Sequence, residues 1–304
     1  MSQTSTAAGT ASRPFLKWAG GKQRLLKQYE HLLPDSASTY HEPFVGSGAL
    51  FFYLRSREFA SHYCLYDANE ELINTYLVVR DRVEALIEAL AEHERLHDAD
   101  HYYRVRAWDK AAGWMARPDV ERAARMIYLN KTCYNGLWRV NRRGHFNVPM
   151  GRYRRPNILD RSRLRAASEA LGGVDVEVRD FREVADRAEA GDFVYFDPPY
   201  VPLTPTANFT DYYAGGFGQA EQEALADTFR RLDKQGCRVM LSNSDTDLVR
   251  ELYAGFEIIA VEARRAINSQ AGKRGPVSEV VVFNYPVGSG RDGRYPQGGL
   301  TSKE

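Results

Sequence analysis

Seven short strand-like segments, rich in β-branched, aromatic and aliphatic residues, punctuate this chain of 304 residues, most of them separated by helix-like stretches. They fall at residues 39–44, 63–66, 174–178, 193–196, 238–241, 256–259 and 280–283. Phe193-Val194-Tyr195-Phe196, with no charged or alternating polar position, has the character of a strand buried on both faces. Strands that alternate with helices imply an α/β fold, a doubly wound and mostly parallel sheet covered on both faces, with ligands beyond the strand C-terminal ends. The last two runs read as a hairpin at the sheet edge.

Between Asn74 and about Arg165 the alternation stops. Amphipathic patterns predict helices over Leu77–His93, Tyr102–Ala112 and Asp119–Asn130, followed by a loop-rich basic segment. This block reads as a domain at 75–165 inserted into a core domain made of 14–74 and 166–286. Residues 122–165 hold eleven Arg and one Lys against the single acid Asp160, although the whole chain nets only +1. Tyr134, Asn135, Trp138, Asn141, Phe146 and Tyr153 lie among these charges, a mixture that favours phosphate contact over a merely solvated basic face.

Residues 1–13 and 287–304 carry no hydrophobic period and are expected to be disordered tails, and the first lacks the apolar core of a signal peptide. Cys64, Cys133 and Cys237 are too isolated for a disulfide framework or a zinc site, which points to a reducing cytoplasm. His93, His97 and His101 recur every four residues, but without a companion ligand they read as a solvated helix face and not as a metal site.

Chemistry concentrates at strand ends. Asp197-Pro198-Pro199-Tyr200 follows the run 193–196 and joins a carboxylate, a stacking ring and a rigid turn. The prolines remove two backbone donors, turn the chain out of the sheet and leave carbonyls there able to accept from a ligand. Glu42-Pro43-Phe44-Val45-Gly46-Ser47-Gly48 follows the first strand and precedes a helix start at Ala49–Leu54, so its glycines let backbone approach a ligand closely. Asp67, nineteen positions past Gly48, suits a pair of ribose hydroxyls, an acid that nicotinamide sites also use. Phe15-Leu16-Lys17-Trp18-Ala19-Gly20-Gly21-Lys22 is not a phosphate loop of the G-x-x-x-x-G-K-[ST] type, because Gln23 follows the lysine and position 16 is Leu.

Taken in order, the segments Phe15 to Lys22, Glu42 to Gly48, Tyr134-Asn135-Gly136-Leu137 and Asp197 to Tyr200 strongly resemble the Dam-type (D12 class) N6-adenine-specific DNA methyltransferases. The likeness covers roughly 13–286 and continues through Pro205 to Thr210, Leu241 to Thr246 and Val277-Ser278-Glu279. The resemblance implies a Rossmann-like methyltransferase fold with an inserted DNA-recognition domain, double-stranded DNA as partner, a monomer in the cytoplasm at the nucleoid, and no membrane or metal. It implies S-adenosylmethionine as methyl donor, with Trp18, Glu42, Phe44, Gly46 and Gly48 around it. Lys22 would lie near the donor's carboxylate, Asp67 at its ribose, and Asp180 and Phe181 at its adenine.

By the same likeness Asp197, Pro198 and Tyr200 would receive a flipped adenine, Asp197 also bordering the donor. Tyr134, Asn135, Leu137 and Arg139 would probe bases, with Pro149, Arg152, Tyr153 and Lys17 nearby. Arg142, Arg143, Arg154 and Arg155 would bind phosphates, and the site GATC is suggested. The segment departs from the family pattern at Thr132-Cys133 and Trp138. Cytosine carbon-5 chemistry is disfavoured, since no cysteine follows a proline. Amino methylation of another DNA sequence, of cytosine or of RNA, and a catalytically silent DNA-binding homologue, are the alternatives.

Overall fold

A computed structural model describes residues 12–18, 28, 30–201, 217–264 and 276–287. Lys22, nearly all of both expected tails, Pro205 to Thr210 and most of Val201 to Phe217, expected to move on ligand binding, lie outside the described residues. Strands β1 (Ala37–Glu42), β2 (Ala60–Asp67), β3 (Asp175–Val178), β4 (Phe193–Phe196), β5 (Arg238–Ser244), β6 (Glu257–Arg264) and β7 (Pro276–Phe283) form one sheet in the order β3-β2-β1-β4-β5-β7-β6. Pairing is parallel from β3 through β5, and β7 runs antiparallel between β5 and β6. This is the Rossmann-like α/β architecture, with an antiparallel edge pair where the hairpin was expected.

The period of two in a strand divides the side chains between two cores. Phe193, Tyr195, Met240, Val281 and Phe283 face one; Val194, Phe196, Val239, Leu241, Val280 and Val282 face the other. The first core continues without a break into the helices between residues 70 and 132, through Leu86, Leu90, Tyr102 and Tyr128, and on to Trp138, Phe146 and Val148.

Two of the expected helices are subdivided. The stretch 77–93 belongs to α2 (Glu70–Asp81) and α3 (Val83–Arg95), which follow α1 (Ala49–Arg55) and meet at Arg82, whose φ of −138° breaks the helical path. The start is earlier because the Asn69 side chain accepts from Leu72 N–H at 3.1 Å and caps the first turn. Likewise α4 (Ala99–Arg106), capped by Asp98, gives way to a 3₁₀ turn over Ala107–Lys110. The expected third helix is α5 (Asp119–Thr132). It is followed in the chain by α6 (Arg161–Leu171), α7 (Gln219–Lys234) and α8 (Asp247–Leu252).

The three histidines do not form a solvated face. His93 on α3 and His101 on α4 are buried, Nδ1 to Nε2 at 2.9 Å, and His93 stacks on the Tyr128 ring. His97 Nδ1 lies 2.9 Å from the Tyr128 hydroxyl. Burial, reinforced by His101, pushes His93 down to about 4, so it is a neutral core residue at physiological pH. Among the described residues no three His, Cys, Asp or Glu are grouped to hold a metal, and no helix is long and apolar enough to cross a membrane.

Candidate functional site

The strand order reverses between β1 and β4, and three carboxylates stand at or just beyond adjacent strand ends there: Glu42 on β1, Asp67 on β2 and Asp197 after β4. A topological switch point of this kind is where open α/β sheets bind ligands. The turn after β1 is anchored by Val45 N–H donating to Tyr66 O at 3.0 Å. Gly46 and Gly48 then adopt φ of +47° and +65°. Side chains are excluded for a second reason, since a Cβ on Gly46 would come within 2.9 Å of the Trp18 ring and one on Gly48 within 2.8 Å of the Tyr76 hydroxyl. Tyr76 also donates to Gly46 O at 3.1 Å.

Asp67 is buried and accepts from Gly46 N–H and Asn69 N–H, so it ties this turn to the cap of α2. Glu42 is buried as well and accepts from the Tyr40 hydroxyl at 2.9 Å. Burial pushes its carboxyl well above the usual range, the negative charges of Asp197 and Asp67 add to this, and the Tyr40 bond opposes it. The glycine turn is thus flanked by the Trp18 ring and by the buried acid Asp67, with the buried Glu42 at the end of the strand that leads into it.

Asp197 sits where the prolines turn the chain off β4. Ser242 on β5 donates to Asp197 Oδ1 at 3.2 Å, and its hydroxyl lies 2.8 Å from that of Tyr195. Gln222 on α7 donates to Pro199 O at 3.0 Å and accepts from Asn243, whose Oδ1 receives Val201 N–H. The Tyr200 hydroxyl donates to Glu279 on β7 at 2.9 Å. Pro198 is buried, and among the described residues no hydrogen bond ends on its carbonyl. The tetrapeptide is thus held from three elements, with its carboxylate and ring oriented by partners 45 and 79 positions away. Ser242, Gln222, Asn243 and Glu279 are the residues that sequence reasoning missed as supports; Leu241 to Thr246 and Val277 to Glu279 contained three of them without showing their bonds, and no sequence signal marked Gln222.

Phe44 stacks on Phe181 with ring centroids 5.3 Å apart and meets Phe196 and Phe217 edge-on. These rings make an apolar wall beside the turn. Asp180 is exposed, caps the 3₁₀ turn Phe181–Asp186 and has its carboxylate engaged by Arg182 at 2.8 Å. Phe181 is buried beneath that guanidinium, at 4.5 Å from ring centroid to Cζ.

The basic segment is a hairpin and two clasped turns. Tyr134 N–H donates to Pro149 O and Gly151 N–H to Thr132 O, so Tyr134 and Pro149 are exposed side by side. Asn135 takes φ of +56°, a left-handed conformation that Asn tolerates, and Leu137 is half-buried. Arg139 is exposed with Nε donating to Asn147 at 2.8 Å, across a hairpin closed by the Val140–Phe146 bridge. Arg152 and Tyr153 are exposed beyond it, and the Lys17 ammonium lies 4.8 Å from the Tyr153 ring centroid.

Not all of the strip faces outward. Arg125 is buried against Asp109 at 2.7 Å, and the same Asp109 oxygen accepts Phe146 N–H at 2.7 Å. Arg122 is held by Glu71, while Arg163 and Arg165 pair with Asp160 and Glu84. Trp138 and Phe146 are core residues, not surface aromatics, with rings 4.7 Å apart. Arg142, Arg143, Arg152, Arg154 and Arg155 are exposed, with no carboxylate at ion-pair distance among the described residues.

Known proteins are similar to this chain in sequence over most of its length. The family of D12 class N6 adenine-specific DNA methyltransferases matches residues 18–267. The chain is 42% identical over 275 residues to the Type II methyltransferase M1.LlaDCHI of Lactococcus lactis subsp. cremoris, covering 90% of this chain and 95% of that protein. It is 43% identical over 287 residues to the Type II methyltransferase M.MjaIII of Methanocaldococcus jannaschii, covering 90% and 99%. It is 36% identical over 278 residues to the DNA adenine methylase of Escherichia coli K12, covering 90% and 96%. With an α/β sheet whose switch point carries the Asp197 turn, and with the family match spanning both that turn and the basic hairpin, the chain belongs to the D12 class of N6 adenine-specific DNA methyltransferases.

Proposed function

We propose that this enzyme methylates adenine within GATC in duplex DNA, using S-adenosylmethionine, after rotating the target base out of the helix. The observation that carries the reading is the proximity of two unlike features at one switch point: an acid-lined glycine turn and a rigidly held Asp-Pro-Pro-Tyr turn. The first fits the donor. Asp67 and Asp197 favour a cation, Gly46 and Gly48 admit close backbone approach, Asp67 suits ribose hydroxyls, and Trp18, Phe44 and Phe181 offer apolar surface. Lys22 is assigned to the carboxylate end and Asp180 to the adenine end by family likeness. When bound, the donor supplies an electrophilic methyl group on sulfonium.

The chain's own residues do the rest. The exocyclic nitrogen of adenine is a poor nucleophile because its lone pair is delocalised into the ring. Hydrogen bonds from its amino protons to the Asp197 carboxylate and the Pro198 carbonyl localise that pair on nitrogen, and Asp197 is the base placed to take the proton shed after transfer. The Tyr200 ring stacks on the base, its tilt fixed by Glu279. Because the amino group is paired inside a duplex, the base must leave the stack, and Asn135 is assigned to the thymine left behind.

Residues 75–165 serve as the DNA-recognition part, with Tyr134, Asn135, Leu137, Arg139 and Lys17 as base probes. Arg139 presents donors to a guanine edge, and Pro149, Arg152 and Tyr153 shape the adjoining surface. Arg142, Arg143, Arg154 and Arg155 set register on phosphates. Radiolabelled donor incubated with duplexes that contain GATC or a single-base-pair change tests this reading. The expected result is labelling of the GATC duplex alone, and equal labelling of both contradicts the site assignment. Replacing the target adenine by 2-aminopurine tests rotation: fluorescence should rise on binding, and an unchanged signal counts against it.

A further inference from the structure

We infer that Asn130 is a positioning residue for base discrimination: it fixes Lys17 against the turn Tyr134–Gly136 and, through Trp18, against the glycine turn at Gly46. Asn130 lies near the end of α5, and none of its surface is exposed. Its Oδ1 accepts Lys17 N–H at 2.8 Å, and its Nδ2 donates to Lys17 O at 2.6 Å and Gly136 O at 3.2 Å. One carboxamide therefore clamps both backbone groups of a residue 113 positions earlier and the carbonyl of a residue six positions later.

The side chain of Lys17 is steered by the same contact. Gly136 has φ of +65°, and a Cβ there would stand 2.6 Å from Lys17 Cδ and 2.9 Å from Lys17 Cβ, so the lysine stem lies directly on this glycine. Its ammonium then reaches the Tyr153 ring. The neighbouring Trp18 ring covers Gly46 on the other side. A short N-terminal stretch thus bridges the donor turn and the reading turn, and Asn130 sets its register. An amide is required because only it offers both an acceptor and donors here. A carboxylate at this place would face the Lys17 and Gly136 carbonyls with no proton to give.

This inference rests on the proposed DNA adenine methylation with Lys17 as a base probe. The test measures kcat/KM of the full chain on the duplex that the wild type prefers, as mapped on a plasmid, and on duplexes changed at one base pair each. Lys17→Ala first identifies the base pair that depends on Lys17. Asn130→Asp, and Gly136→Ala as a variant that leaves Asn130 in place, are expected to lose about tenfold discrimination at that same base pair. The double variant Lys17→Ala/Asn130→Asp is expected to discriminate no worse there than Lys17→Ala, because the two changes act through one contact. Unchanged discrimination in Asn130→Asp and Gly136→Ala, an equal loss at every base pair, or additive losses in the double variant would overturn the inference. If the wild type methylates no DNA adenine, the underlying function fails; if it does so selectively and the variants keep its profile, only the role of Asn130 fails.

Discussion

Ser242 donates its hydroxyl proton to Oδ1 of Asp197, 45 residues earlier in the chain, across 3.2 Å. Tyr195, whose hydroxyl lies 2.8 Å from Ser242 Oγ, completes a chain that begins in the buried sheet and ends on the carboxylate assigned to the target amino group. A carboxylate held this way spends less of its interaction with substrate on being oriented. Ser242→Ala is expected to lower kcat about tenfold with KM for DNA little changed, as measured by steady-state methyl transfer. An increase in KM alone would move Ser242 out of this role.

The exposed arginines divide by what they would touch. Arg139→Ala should cost about 1–3 kcal/mol of discrimination at one base pair, whereas Arg154→Ala should weaken all duplexes alike and reduce the slope of log affinity against log salt by about one. Titrations of cognate and altered duplexes at several salt concentrations separate the two. Relaxed specificity in Arg154→Ala would reverse the assignment.

Glu42 provides a pH test. Its carboxyl is held above its ordinary value of 4.5 by burial and the neighbouring acids. The folded state therefore keeps a proton that the unfolded chain releases above that value, so this group's contribution to stability is full below about pH 4.5 and is lost as pH rises. Glu42→Gln, a neutral replacement, is expected to raise the melting temperature of the ligand-free protein more at pH 8 than at pH 5. An equal effect at both would mean that Glu42 is ionised in the folded chain.

The hairpin that carries Arg139 hangs on Asp109, which accepts both the buried Arg125 guanidinium and Phe146 N–H. Asp109→Ala would leave a buried cation unpaired, at a cost of roughly 3–5 kcal/mol. Denaturant unfolding should show that loss, and Arg142→Ala, an exposed change on the same hairpin, should stay within about 0.5 kcal/mol. Similar midpoints for the two would refute the anchoring role.

Much of the sheet was legible because β4 is an uninterrupted apolar run and β1 ends in a glycine turn that two φ values above zero require. The candidate site was legible where one short segment holds several functional groups, as in Asp197 to Tyr200. It was not legible where a polar residue on one strand completes a site on another: Ser242, Gln222 and Glu279 have no local pattern that points to the turn they support. Charge count alone misread the basic strip, because an arginine's direction depends on acids elsewhere. Arg125 meets Asp109 in the core, while Arg154 is exposed. The histidines at 93 and 101 share a spacing of helical period, yet the chain breaks between them, which places them face to face on two helices.

On the proposed function, the Asp197 turn receives an adenine from DNA. Nucleoside mass spectrometry of plasmid treated with the enzyme and S-adenosylmethionine tests it most directly. The expected product is N6-methyldeoxyadenosine at one recurring sequence, absent when Asp197→Ala replaces the wild type. Methylated cytosine, or an equal yield of N6-methyldeoxyadenosine from Asp197→Ala, would contradict the account.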